Sequence, residues 1–184
     1  MLDKALVVHC APTLAGLKTG SLFTALHRPE APLAEQAAAW DRRLAGKGVR
    51  LAVLRRGRQG SLLYVYRPER LAADLARPRV ADFLARRGYA GLDASGAVEQ
   101  LRRRLAAEAS FPHEIGLFLG YPLEDVEGFI ANSGRNCKCC GCWKVYGDEE
   151  RAARCFSRYR KCRAVYLRLW QAGRSVEQLT VAAS

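Results

Sequence analysis

The chain has no apolar run approaching the ~20 residues that span a bilayer. Its first apolar stretch, Leu6-Val7-Val8, is too short for the core of a signal peptide. A cytoplasmic protein is therefore expected. Histidine is scarce: His9, His27 and His113 are the only three, and none stands four residues from another. That excludes the zincin arrangement. Acid is in deficit, with 18 Asp and Glu against 30 Lys and Arg, a net charge of +12 and an isoelectric point near 9.8. A phosphate loop is missing too. Gly16-Leu17-Lys18-Thr19 lacks both the earlier glycine and a Lys directly after Gly. Repeats, low-complexity tracts and linkers are absent. With 184 residues, the economical reading is one domain over residues 1–184.

What is present is globular in character: 49% hydrophobic and 26% charged. The charge attracts polyanions without naming one. Arginine is spread along the chain, and no single basic stretch stands out. An acidic or anionic small molecule is the preferred partner, and nucleic acid ranks last.

Periodicity predicts an α+β fold, a small sheet of about three strands including a hairpin, covered by several helices. Leu6–Cys10 reads as a strand ending before Pro12, and 11–20 as a loop. Ser21-Leu22-Phe23 reads as a turn of helix, and Pro29 and Pro32 as a break. Leu33–Leu44 is helical by spacing. Residues 49–54 and 61–66 alternate and flank Gly57-Arg58-Gln59-Gly60, which makes a hairpin. Helices opened by proline follow at 68–75 and 78–87, then one from Gly96 to Ala109 behind Ser95, and others after Pro112 and Pro122. Asp148 caps a long helix to about Gln171, and Ser175-Val176-Glu177-Gln178 is a capping box.

Seven cysteines are too many to dismiss, and an odd number cannot all pair with one another. Four fall within six positions: Cys137, Cys139, Cys140 and Cys142. They form two overlapping C-x-x-C pairs, a spacing that lets two thiolates face one point in zinc and iron–sulfur sites. A zinc ion or an iron–sulfur cluster is one reading of this loop, a redox thiol a second, and a structural loop a third. Cys155 and Cys162 are seven apart on the apolar stripe of the long helix and read as packing.

The second informative stretch is His9-Cys10-Ala11-Pro12-Thr13, with Lys18 and Ser21 following. A thiol beside a glycine-bearing loop with Lys and hydroxyls suits chemistry on an anionic group. Phe111-Pro112-His113-Glu114 offers a base. Cys10 with His113, oriented by Glu114, is the one nucleophile–base pairing available. The same residues also fit the bland reading of a buried thiol and a structural histidine.

Four segments carry a family resemblance: His9-Cys10-Ala11-Pro12-Thr13-Leu14-Ala15-Gly16, the run from Phe111 to Pro122, Asp125-Val126-Glu127-Gly128-Phe129-Ile130, and Cys140-Gly141-Cys142-Trp143-Lys144-Val145-Tyr146. Together they resemble the bacterial family catalogued as domain of unknown function 3793, and the resemblance covers nearly the whole chain. It implies a single-domain cytoplasmic protein of anaerobic bacteria and carries no activity, cofactor or catalytic residue. It makes Cys140 and Lys144 the informative members of the cysteine loop and leaves Cys137 and Cys139 outside the pattern.

The leading expectation is a thiol-dependent pocket for thiol transfer or redox chemistry. Cys10, His113 and Glu114 would act at its centre. His9, Thr13, Lys18, Ser21, Trp143, Lys144 and Tyr146 would bind the ligand. A metal-binding accessory protein using the Cys137–Cys142 loop, and a non-enzymatic basic binding module, are the alternatives.

Overall fold

A computed structural model describes residues 2–27, 32–107 and 111–183. In order it holds α1 (Leu2–Leu14), β1 (Gly20–Leu26), α2 (Leu33–Ala45), β2 (Arg50–Arg56), β3 (Gly60–Tyr66) and α3 (Pro68–Leu75). Then come α4 (Pro78–Leu84), continued by a π-turn, α5 (Ala94–Ala107), α6 (Ile115–Phe118) and α7 (Leu123–Ala131). The short strands β4 (Cys139–Cys140) and β5 (Lys144–Val145) precede α8 (Glu149–Gln171) and α9 (Val176–Leu179). The fold is α+β, as the periodicity implies.

The main sheet is antiparallel in the order β1-β3-β2. The central strand β3 is covered on both faces. Leu63 and Val65 point into a cluster with α1, α2 and α9, and Tyr64 and Tyr66 into one built by α3 to α7. This is the period-2 alternation of a strand buried on two sides. A register shift between Val53 and Arg55 of β2 leaves Leu54 buried in the second cluster.

Two expectations fail at the N-terminus. Leu6–Cys10 is helix, not strand, because α1 is packed between β1 and α8 and buries Leu6, Val7, Cys10, Ala11 and Leu14. A helix covered on several sides reads as a continuous apolar run, and so does a buried strand. Ser21-Leu22-Phe23 is strand, not helix: β1 supplies the third strand in its place. The hairpin, α2, the Asp148 cap (Arg151 N–H to Oδ1, 2.9 Å) and the Ser175 capping box all form where expected. The Pro29 break and the end of the 96–109 helix lie outside the described residues.

The C-terminal end of α1 is held by Arg67. Its Nε donates to Thr13 O (2.8 Å), and its Nη2 to Leu14 O (2.8 Å) and Val181 O (2.7 Å). The Thr13 and Leu14 carbonyls lie at the helix end, where no intrahelical donor follows, and they also accept the N–H groups of Gly16 (3.1 Å) and Val181 (3.0 Å), so the buried guanidinium helps to fix how the turn from Ala15 to Lys18 leaves the helix. Among the described residues no helix is long and apolar enough to cross a membrane.

Candidate functional site

The cysteine segment folds as a two-stranded hairpin, with Cys139 opposite Val145 and Cys140 opposite Lys144. Asp125, in the first turn of α7 and only 3% exposed, ties it down. Its Oδ1 accepts the backbone N–H groups of Tyr146 (2.7 Å) and Gly147 (2.8 Å), and its Oδ2 accepts Nε1–H of Trp143 (2.7 Å). Helix and hairpin meet closely because a Cβ on Gly128 would overlap the Tyr146 ring. Trp143 is held between Tyr121 (centroids 4.7 Å apart, stacked) and Phe156 of α8 (4.5 Å, edge-on). Gly141 lies so near the Phe156 ring that no Cβ fits there. The turn 141–143 is thereby pressed onto α8.

This arrangement opens a cleft of about 650 Å3 between the N-terminal segment, the hairpin and α8. His9, Lys18 and Ser21 form one wall, and Cys139, Cys140 and Cys142 another. Tyr159, Arg160 and Arg163 form the third, and among the described residues no carboxylate lines the cleft. Lys18 Nζ sits 5.3 Å from the centre of the Tyr121 ring. Burial pulls its pKa down, and the sulfurs of Cys10 and Cys142 pull it back up. His9 stacks on Phe23 (5.1 Å, 11°). Its pKa is lowered, first by burial and then by Arg163.

Cys142 is exposed. Its pKa is raised from the ordinary thiol value, first by burial and further by Cys155, and Lys18, Arg163 and Arg160 only partly oppose that rise. Cys10 is different. It is wholly buried in the apolar cluster behind the cleft, and burial pushes its thiol up to about 12. At neutral pH it is therefore a neutral, packed sulfur with no thiolate to offer.

The remaining expected site residues are placed as follows. Thr13 is buried and shares a hydrogen bond with Ser21 (Oγ1 to Oγ, 2.9 Å), so it supports the wall rather than lining it. His113 lines a separate, largely apolar pocket of about 380 Å3 with Phe129, Trp143 and Lys144. Its ring meets Phe129 edge-on at 4.9 Å. Glu114 does not orient His113. It is turned inward at 3% exposure, where Arg104 pairs with it (2.7 Å) and Tyr89 O–H donates to it (3.0 Å). Lys144 Nζ donates to Gly134 O (2.6 Å), and Tyr146 O–H to Arg135 O (2.8 Å). Both brace the loop.

Among the described residues no three His, Cys, Asp or Glu side chains are placed to hold a metal ion.

Sequence reasoning missed Asp125, Tyr121, Arg160 and Arg163 as site residues. Asp125 carried a faint signal: an acid in the first turn of α7, two residues after buried Leu123. Arg160 and Arg163 are four and seven residues beyond Phe156, a spacing that puts all three on one side of α8.

A family model described as "Protein of unknown function (DUF3793)" matches residues 6–180, nearly the whole chain. No curated protein and no solved structure matches it.

Proposed function

The chain belongs to the DUF3793 family, and from that premise we propose that it binds an anionic small molecule in the cleft between α1, the cysteine hairpin and α8, with Cys142 as the thiol presented to the ligand. The observation that carries this reading is the composition of the wall. Lys18, Arg160 and Arg163 meet three cysteines around about 650 Å3 with no carboxylate among the lining residues. Cations gathered in a concave, low-dielectric site focus the field and concentrate anions there. Lys18 is half-buried and makes no ion pair among the described residues, so its charge faces the cleft rather than a protein partner.

The thiol role moves from Cys10 to Cys142 for a physical reason. Nucleophilic and ligating chemistry need a sulfur that the ligand can reach, and only the hairpin sulfurs meet the cleft, whereas Cys10 is sealed. His113 serves no thiol here, because it opens into another pocket.

The test compares an anionic and a neutral alkylator. Rates of iodoacetate and iodoacetamide labelling at Cys142 are followed by peptide mass spectrometry on the folded chain and on the urea-unfolded chain. Folding is expected to raise the iodoacetate-to-iodoacetamide ratio about tenfold at low salt. Salt at about 0.5 M should erase most of that gain. Lys18→Met should reduce it. An identical ratio in the folded and unfolded chains refutes the proposal.

A further inference from the structure

A second cleft, of about 740 Å3, lies on the other side of Tyr159 from the first. We propose that it binds the phosphate groups of a polyphosphorylated small molecule. The inference is independent of the thiol reading, because the two clefts draw on different basic residues of α8, Arg151, Arg154 and Arg158 here and Arg160 and Arg163 there.

Arg70, Arg77 and Arg79 come from α3 and the start of α4, and Arg151, Arg154 and Arg158 from α8. Steps of three and four residues put the α8 trio on one face. Six guanidinium groups therefore face two carboxylates, Asp74 and Glu124.

Asp74 is already engaged, by the Thr19 hydroxyl and by Arg77 (2.6 Å). Arg79 and Arg154 make only long ion pairs at the surface, with Glu127 (3.7 Å) and Glu150 (3.4 Å), of the kind that contributes little. Arg70 is steadied by one bond to Gly16 O (2.5 Å). Arg151 and Arg158 have no carboxylate partner among the described residues. Several forked donors on two facing walls call for a ligand with several charged, bidentate acceptors, which phosphates supply and a lone carboxylate does not.

The same lining argues against a nucleic-acid strand. Single-stranded nucleic acid needs free aromatic faces on which bases stack. The cleft's aromatic side chains are Tyr121, already stacked on Trp143, and Tyr159, 9% exposed.

The test is calorimetric titration of the full chain with inorganic tripolyphosphate at low salt. Two double variants with equal charge loss are compared: Arg151→Ser with Arg158→Ser, and Arg160→Ser with Arg163→Ser in the first cleft. All four arginines are exposed, so both variants keep the fold, as their melting curves will verify. The first pair is expected to weaken binding about tenfold or more and the second less than about threefold. Equal losses would assign the binding to net charge, and a loss confined to the second pair would assign it to the other cleft. Either overturns the proposal, as does no binding by the wild type.

ATP as a second ligand separates a nucleotide source from an inorganic one. Displacement of ATP by tripolyphosphate supports the site whichever binds tighter, and failure of displacement overturns it. A single-stranded oligonucleotide that binds more tightly with length and resists tripolyphosphate also overturns it.

Discussion

Replacing Asp125 should detach the cysteine hairpin from the rest of the fold. Its carboxylate accepts three hydrogen bonds, at 2.7, 2.8 and 2.7 Å, from the hairpin's Tyr146, Gly147 and Trp143. Bonds to a charged acceptor contribute about 1.5–3 kcal/mol each. Tyr146 and Gly147 are half-buried, so water replaces part of what is lost. About 3–5 kcal/mol is the expected cost of Asp125→Ala. Asp125→Asn is the sharper variant. Its oxygen can keep the two backbone donors, but its amide then points a donor at the Trp143 indole N–H, and about 2–3 kcal/mol is lost.

For a chain of this size each kcal/mol moves the melting temperature about 2–4 °C, so Asp125→Ala should melt about 10 °C lower if the hairpin unfolds with the rest. If the hairpin opens alone, hydrogen exchange at Lys138 and Gly141, whose N–H groups bond Val145 O and Trp143 O, should quicken about a hundredfold. In either case the iodoacetate preference at Cys142 should fall toward its unfolded value. Unchanged melting together with unchanged exchange in Asp125→Ala refutes the claim that this carboxylate holds the site together.

Further outcomes follow from the same geometry. Arg67→Met should cost about 2–5 kcal/mol in denaturant unfolding, because it removes three hydrogen bonds from a buried guanidinium and leaves the carbonyls of Thr13 and Leu14 only the N–H groups of Gly16 and Val181; a loss below about 1 kcal/mol would deny it that role. Cys10 has a folded pKa raised to about 12 from an ordinary 9.0, so its contribution to stability is complete below pH 9 and declines as pH rises toward 12. Between pH 9 and 10.5 the wild type should therefore lose about 2 kcal/mol more than Cys10→Ala, and parallel pH profiles would contradict the burial of that thiol.

The parts of the fold legible in the sequence were those whose signals are local. The 49–66 hairpin alternates around a turn, and the Asp148 and Ser175 caps are written in three or four residues. Residues 6–10 failed because their environment is tertiary. Between the sheet and α8, α1 has little solvent-facing side to reveal a helical period, and two adjacent valines tilt the reading to strand. The site was legible in outline, since both the 9–21 segment and the cysteine loop reach the cleft. Its proposed centre moves from Cys10 to Cys142 because burial, which residue type does not reveal, decides which sulfur is accessible. Cys10 and Cys142 look alike in the sequence, and one is sealed while the other is exposed. Glu114 failed similarly: its partner Arg104 lies ten residues upstream on another helix, where adjacency along the chain says nothing.

The basic character of the chain also reads differently once folded. As a string, its arginines look like solvated helix faces. On α8 the turn of the helix sorts them into two groups, with Arg151, Arg154 and Arg158 on one side and Arg160 and Arg163 on the other. Tyr159, buried and lining both clefts, is the divider. The first group has phosphate-sized company in Arg70, Arg77 and Arg79; the second has the thiols. Since Tyr159 O–H reaches Leu17 O (3.5 Å) and Lys18 is the next residue, a displacement of the Leu17–Lys18 turn would alter both walls together. If both proposed sites bind, alkylation of Cys142 is expected to change the affinity for tripolyphosphate, and an unchanged affinity would show the two clefts to be uncoupled.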